Sequence, residues 1–137
     1  MTDSLGIDII EIERLRHALA RWPRLAARFF TQRERAYCDS RGDPASSYAA
    51  RFAAKEAAAK ALGRWLRWHE VEIHTDSDGR PSISLSGDAA SLARIAEGGR
   101  LLLSLSHSRD YAVACVIFVR QQESASSASN GPSGAPR

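Results

Sequence analysis

Lysine is nearly absent from this chain. Of its nineteen basic residues only two are lysine, Lys55 and Lys60, and both fall in one short segment. Cysteine is as scarce: Cys38 and Cys115 stand far apart, with neither metal-site spacing nor the density of a disulfide scaffold. Cys115, set in an apolar run, reads as a small core hydrophobe. No apolar stretch approaches the ~18 residues of a membrane span, and the start carries no signal-peptide core. A membrane protein and a disulfide-stapled secreted fold are excluded on these grounds, and the expectation is a soluble, cytoplasmic protein. No internal repeat is found. The 137 residues are one domain's worth, and a net charge of +3 suits an acidic partner without calling for nucleic acid. A nucleic-acid module would want aromatic-interleaved strands or a recognition helix, and Trp65 and Trp68 offer little else.

The stretch from Tyr48 to Gly63 organises the rest. Its interior is alanine, the best helix former, and Gly63 supplies the C-terminal stop. A helix built for stability alone would carry a leucine stripe and a solvated charged face. At ~100° per residue Phe52, Glu56, Ala59, Lys60 and Gly63 share one side, with Arg51 and Lys55 at its edge. A carboxylate and a lysine thus accompany an aromatic ring on a helix slim enough for close approach. Where arginine is otherwise used, a compact point charge suits a phosphate or a leaving group. The bland alternative is a solvated Glu56–Lys60 pair worth ~0.3–0.5 kcal/mol.

Leu5 to Ile10 reads as a short buried strand with Asp8 inside it. Asp8 is either an edge-strand residue facing water or a hard-metal ligand at a strand end, since unpaired buried charge is expensive. Glu11 to Arg21 follows as a helix with Ile12, Leu15 and Leu19 on one face, broken by Pro23. Arg14, Arg21, Arg24 and Arg28 form a basic stripe across that break, either a solvated face or a docking surface for an acidic helix. Thr31 to Glu34 is a capping box opening a helix through Asp39. Asp43-Pro44 gives an N-cap and first-turn proline for the alanine helix, and Arg41-Gly42-Asp43 is discounted as an adhesion motif. Val71–Thr75 and Ser82–Ser86 alternate as a hairpin around Asp76 to Pro81. A short helix is expected over Ala89 to Ala96, a strand over Leu101 to Ser106 running into His107, and a long central strand over Tyr111 to Val119. His107 alone reads as a hydrogen-bonded hairpin residue. Residues 1–120 form the expected domain, and the Ser/Gly/Pro-rich 121–137 a disordered tail.

Three separated pieces coincide: Gly6-Ile-Asp8-Ile before a helix; Arg51-Phe-Ala-Ala-Lys55-Glu56-Ala-Ala-Ala-Lys60-Ala; and Leu105-Ser-His107-Ser with Tyr111-Ala-Val-Ala. In this order and spacing the chain resembles the holo-acyl-carrier-protein synthases, small 4′-phosphopantetheinyl transferases, from about Leu5 to Val119. The resemblance implies an α+β fold, a small mostly antiparallel sheet packed with helices, working as a homotrimer with sites between subunits. It implies transfer of 4′-phosphopantetheine from coenzyme A to a serine of apo acyl carrier protein, in fatty acid biosynthesis. It further implies Asp8 and Glu56 as magnesium carboxylates, and Lys60 and His107 as catalytic residues lining the coenzyme A site. Arg51 and Lys55 would meet the nucleotide phosphates, with Gly63 beside them, and Arg14, Arg21 and Arg24 the acidic carrier protein. The family's usual Gly-x-Gly loop after this helix is replaced here by Arg64-Trp65-Leu66-Arg67-Trp68, shorter and without the second glycine. The competing reading is a non-catalytic module that binds an acidic carrier protein through its Arg-rich first helix.

Overall fold

The computed structural model describes residues 3–120. Strand β1 (Ser4–Glu11) leads into helices α1 (Ile12–Arg21), α2 (Leu25–Phe29), α3 (Gln32–Asp39) and the long α4 (Pro44–Leu62). There follow β2 (Val71–Thr75), β3 (Pro81–Leu85), α5 (Gly87–Leu92), β4 (Arg100–His107) and β5 (Tyr111–Val119). β5 lies between β1 and β4 in an antiparallel sheet, and β2 and β3 form a separate antiparallel hairpin. The fold is α+β, as expected, and β5 is the central strand.

Gly6 decides how sheet and helix meet. A Cβ at that position would lie 1.9 Å from the Ala57 carbonyl oxygen and 2.7 Å from the Ala61 backbone nitrogen. α4 therefore rests its own backbone on β1, which requires glycine on the strand and alanine on the helix. Ala53, Ala57, Ala58 and Ala61 are buried there against Ala114, Val116 and Phe118 of β5. The alanine richness serves closeness as well as helix propensity. Gly63 ends α4 at φ 71°, the left-handed conformation that glycine adopts without strain.

Three expectations change. Asp43 occupies the position before α4, but its side chain caps no helix N–H; it accepts instead from Arg16 of α1 (2.9 Å) and from Ser46. α5 ends at Leu92 rather than Ala96. Arg94 turns left-handed at φ 51° so that the chain can return past Ala93, whose carbonyl would be 2.0 Å from a Cβ on Gly99. Cys115 lies on the outer sheet face in register with Ile7 and Ser104 and is only half-buried. Cys38 is the buried cysteine, its thiol pushed up to about 12 by burial. The tail from 121 to 137 lies outside the described residues. Among those described, no helix is long and apolar enough to cross a membrane.

Replacing Gly6 with alanine should destabilise the fold by about 3 kcal/mol or more, because backbone has to move to admit the methyl group. Urea unfolding read by circular dichroism measures this. An unchanged midpoint would mean that the close β1–α4 contact does not exist.

Candidate active site

Asp8 sits in β1 opposite the small, fully buried Ala114, on the sheet face that α4 covers. Lys60, in the last turn of α4, places Nζ 3.0 Å from Asp8 Oδ1 and 3.0 Å from the Ile7 carbonyl oxygen. Glu56 lies one turn earlier on α4. Its carboxyl is pushed above the ordinary range by burial first and then by the negative charge of Asp8, with Lys60 opposing. Strand and helix thus bring together all three of these expected residues, and the two carboxylates feel one another.

Asp8 Oδ2 is buried and has no hydrogen-bond partner. An orphaned carboxylate oxygen beside a second, mutually repelled carboxylate is a donor set suited to a hard divalent cation. Among the described residues no cluster of three or more His, Cys, Asp or Glu side chains could hold a metal. Two carboxylates are a set that magnesium can use, since it is commonly held by one or two and completes its shell with water and phosphate. A zinc-type cage of several protein ligands is not what these residues form.

His107, at the end of β4, belongs to a different place. It lines an open cleft of about 600 Å³ together with Arg41, Arg51, Arg109, Tyr37 and Thr75. Neither Asp8, Glu56 nor Lys60 lines that cleft. Arg51 is 3% exposed, lies 4.0 Å above the Tyr37 ring and donates to Thr75 Oγ1 at 2.9 Å. Its Nε is buried without a partner, a donor free for an anion. The sole carboxylate in the lining is Asp43, held to about 2 chiefly by its bond from Arg16. Sequence reasoning missed Arg41 and Arg109. In a chain using arginine for almost every positive charge, nothing local sets these two apart.

Lys55 points elsewhere again. Its ammonium is buried, 2.7 Å from Glu34 Oε1 and donating to the Trp68 carbonyl at 2.8 Å. Burial lowers its pKa while the Glu34 charge opposes this. Glu34 also accepts from the backbone N–H groups of Thr31 and Ile73. The pair fastens α3, α4, the loop after α4 and the hairpin together, so the expected phosphate contact has no free ammonium to make it. Gly63 likewise has its N–H bonded within the helix end, at 3.2 Å from the Lys60 carbonyl. Arg14, Arg21, Arg24 and Arg28 are all exposed and, among the described residues, form no ion pair.

With this geometry in view, comparison with known proteins is decisive. Residues 4–116 match the family model described as the 4′-phosphopantetheinyl transferase superfamily. The chain belongs to that superfamily. Among curated relatives, a holo-[acyl-carrier-protein] synthase of Moorella thermoacetica is 50% identical over 115 residues, covering 82% of this chain and 90% of the relative. The enzyme of the same name from Salinispora arenicola is 50% identical over 124 residues, covering 88% of this chain and all (100%) of the relative. Among solved structures, the Chronobacterium ammoniagenes ACPS–CoA complex superposes with a TM-score of 0.77 at 27% identity, over 89% of this chain and 100% of that one. The Helicobacter pylori holo-[acyl-carrier-protein] synthase in complex with coenzyme A gives 0.73 at 28% identity, over 84% and 99%. The expected transferase family is therefore correct.

A raised carboxyl contributes stability below its ordinary range and loses it as pH climbs through the raised value. Without divalent cation, Glu56→Gln should therefore melt higher than the wild type at pH 8, and the difference should vanish near pH 4. Added Mg²⁺ should raise the wild-type Tm and leave that of Glu56→Gln nearly unchanged. Equal stabilisation of both proteins would remove Glu56 from the metal site.

Proposed function

We propose that this chain transfers 4′-phosphopantetheine from coenzyme A to a serine hydroxyl of an apo acyl carrier protein, releasing adenosine 3′,5′-bisphosphate. The observation that carries this reading is the Asp8–Glu56–Lys60 cluster, with its orphaned carboxylate oxygen and its lysine at 3.0 Å. The names of the curated relatives support it, as do the solved complexes of two structural neighbours with coenzyme A.

In this reading Asp8 and Glu56 would hold magnesium, which would supply positive charge to neutralise substrate phosphate. The serine oxygen bonds to the phosphorus bearing pantetheine, and the bond from that phosphorus to the nucleotide's bridging oxygen breaks. Such displacements need positioning and charge neutralisation more than covalent help. Lys60 neutralises the departing phosphate. Glu56 is also the carboxylate suited to accept the serine proton. Arg51, Arg41, Arg109 and His107 bind the phosphates of the adenosine end in their cleft. Lys55 and Gly63 leave the ligand set, Lys55 becoming an interior strut.

The same separation supports a site shared between copies. The carboxylates and the cationic cleft do not share a wall within one chain. The outer sheet face is apolar and uncovered, with Leu5, Ile7, Ile9, Ile117 and Leu102 all exposed. Three copies packed face to face about an axis cover this surface and set one chain's cleft against the next chain's carboxylates. Arg14, Arg21 and Arg24 receive the acidic carrier at the rim.

Purified protein with coenzyme A, Mg²⁺ and an apo carrier should convert the carrier to its phosphopantetheinyl form, read by mass. Asp8→Ala should abolish nearly all turnover, and the carrier KM should climb with salt. Sedimentation should give near three times 15.0 kDa, and Ile7→Asp should lower both mass and rate. No transfer by the wild type defeats the reading; a fully active monomer defeats the shared site.

A further inference from the structure

Trp65 is 82% exposed, yet the loop that carries it is firmly held. Trp68 stacks on Phe52 of α4 at 5.2 Å and 22°, and meets Phe29 of α2 edge-on at 4.8 Å. Buried Lys55 grips the Trp68 carbonyl, and the His69 ring lies 2.9 Å from the Ala27 carbonyl oxygen. Trp65 leans edge-on against Trp68 at 6.2 Å and has water on nearly every other side. A rigid loop with a bare indole costs solvation free energy that a mobile polar loop would avoid. This is also where the chain departs from the glycine loop that the family resemblance implies.

The surroundings state what the ring is for. Arg64 and Arg67 flank it and are exposed, and α2, to which the loop is bonded, presents exposed Arg28, with exposed Arg24 just before it. Arg28 lies 5.9 Å above the Phe29 ring, so the basic stripe and the aromatic cluster are one continuous surface. A second copy of the chain would bring the same cations to this patch, and like charges oppose that contact. An acidic partner carrying an apolar side chain is complementary to it. Phe52, beneath Trp68, sits one turn before Glu56 on α4, so one helix carries both the floor of the aromatic cluster and a proposed metal carboxylate.

We propose that Trp65, framed by Arg64 and Arg67, is a specificity-determining anchor for the carrier protein, receiving an apolar side chain beside the carrier's acidic helix. This rests on the carrier-modifying function proposed above and extends the docking surface beyond the first helix. Exposed aromatic residues flanked by arginine are the residue types that dominate binding energy at interfaces.

The test measures initial rates by mass for the wild type, Trp65→Ala and Trp65→Phe, with binding of fluorescently labelled apo carrier and sedimentation of each protein. Trp65→Ala should raise carrier KM and Kd by about tenfold or more, with kcat and the KM for coenzyme A unchanged. Trp65→Phe should recover most of that loss. Unchanged carrier constants overturn the inference. So does a raised KM for coenzyme A alone, which would give the ring to the cofactor arm, or a fall in assembly mass, which would place it between copies. If the wild type binds carrier through Trp65 but transfers nothing, the anchor stands and the catalytic reading fails. If it neither binds nor transfers, both fail.

Discussion

The contact between the backbones of β1 and α4 is the constraint on which the rest depends. Gly6 has no room for a side chain, and α4 answers with alanine at each position turned toward the sheet. The reward of such close packing is summed dispersion rather than large apolar groups. Its functional consequence is reach. A side chain from the strand and one from the last helical turn meet at 3.0 Å because the two elements lie so near. With a leucine-lined helix the layers would sit farther apart, and Asp8 and Lys60 would face one another across a gap.

A second tie holds the opposite side of α4. The buried Glu34–Lys55 pair is satisfied by backbone groups from a capping turn, a loop and a strand. Losing one member of such a pair commonly costs about 3–5 kcal/mol, because the other charge stays buried and unmatched. This tie differs from the Asp8–Glu56 pairing in kind. There, two like charges are held together and Glu56 is raised by burial and repulsion, an arrangement that opposes folding near neutrality and favours a cation. One charge pair serves the fold; the other is a local cost borne at the site.

The element order, the capping box, the close helix and the central strand were legible because each depends on short-range chemistry: alanine, glycine, proline and alternation. The family was legible because three motifs kept their spacing. Individual side-chain directions were less so. Lysine scarcity singled out Lys55 and Lys60 equally, yet they lie five residues apart and point to different sides of α4, one into Glu34 and one toward Asp8. Helical angle placed Lys55 at the edge of the active face; tertiary packing of α3 against α4 decided that it turns inward. Arg41 and Arg109 were invisible for the converse reason: their significance comes from a cleft assembled by α3, α4, β4 and the hairpin, which no single stretch encodes.

The sheet itself separates two kinds of chemistry. Odd-numbered residues of β1, Leu5, Ile7 and Ile9, face outward and are apolar, while Gly6 and Asp8 face the helix. Along β5 the buried face reads Ala112, Ala114, Val116 and Phe118, small where Asp8 must fit and larger toward the far end. The usual antiparallel sheet turns polar residues to water and apolar ones to its core. Here the outer face is apolar too, so the alternation of β1 is inverted at its functional residue: the carboxylate points in and the isoleucines point out. The inward carboxylate meets a charge partner in Lys60 at 3.0 Å, while the outward isoleucines make an exposed apolar surface. One short strand therefore carries both a buried carboxylate and, on its other face, the apolar surface on which the proposed assembly rests.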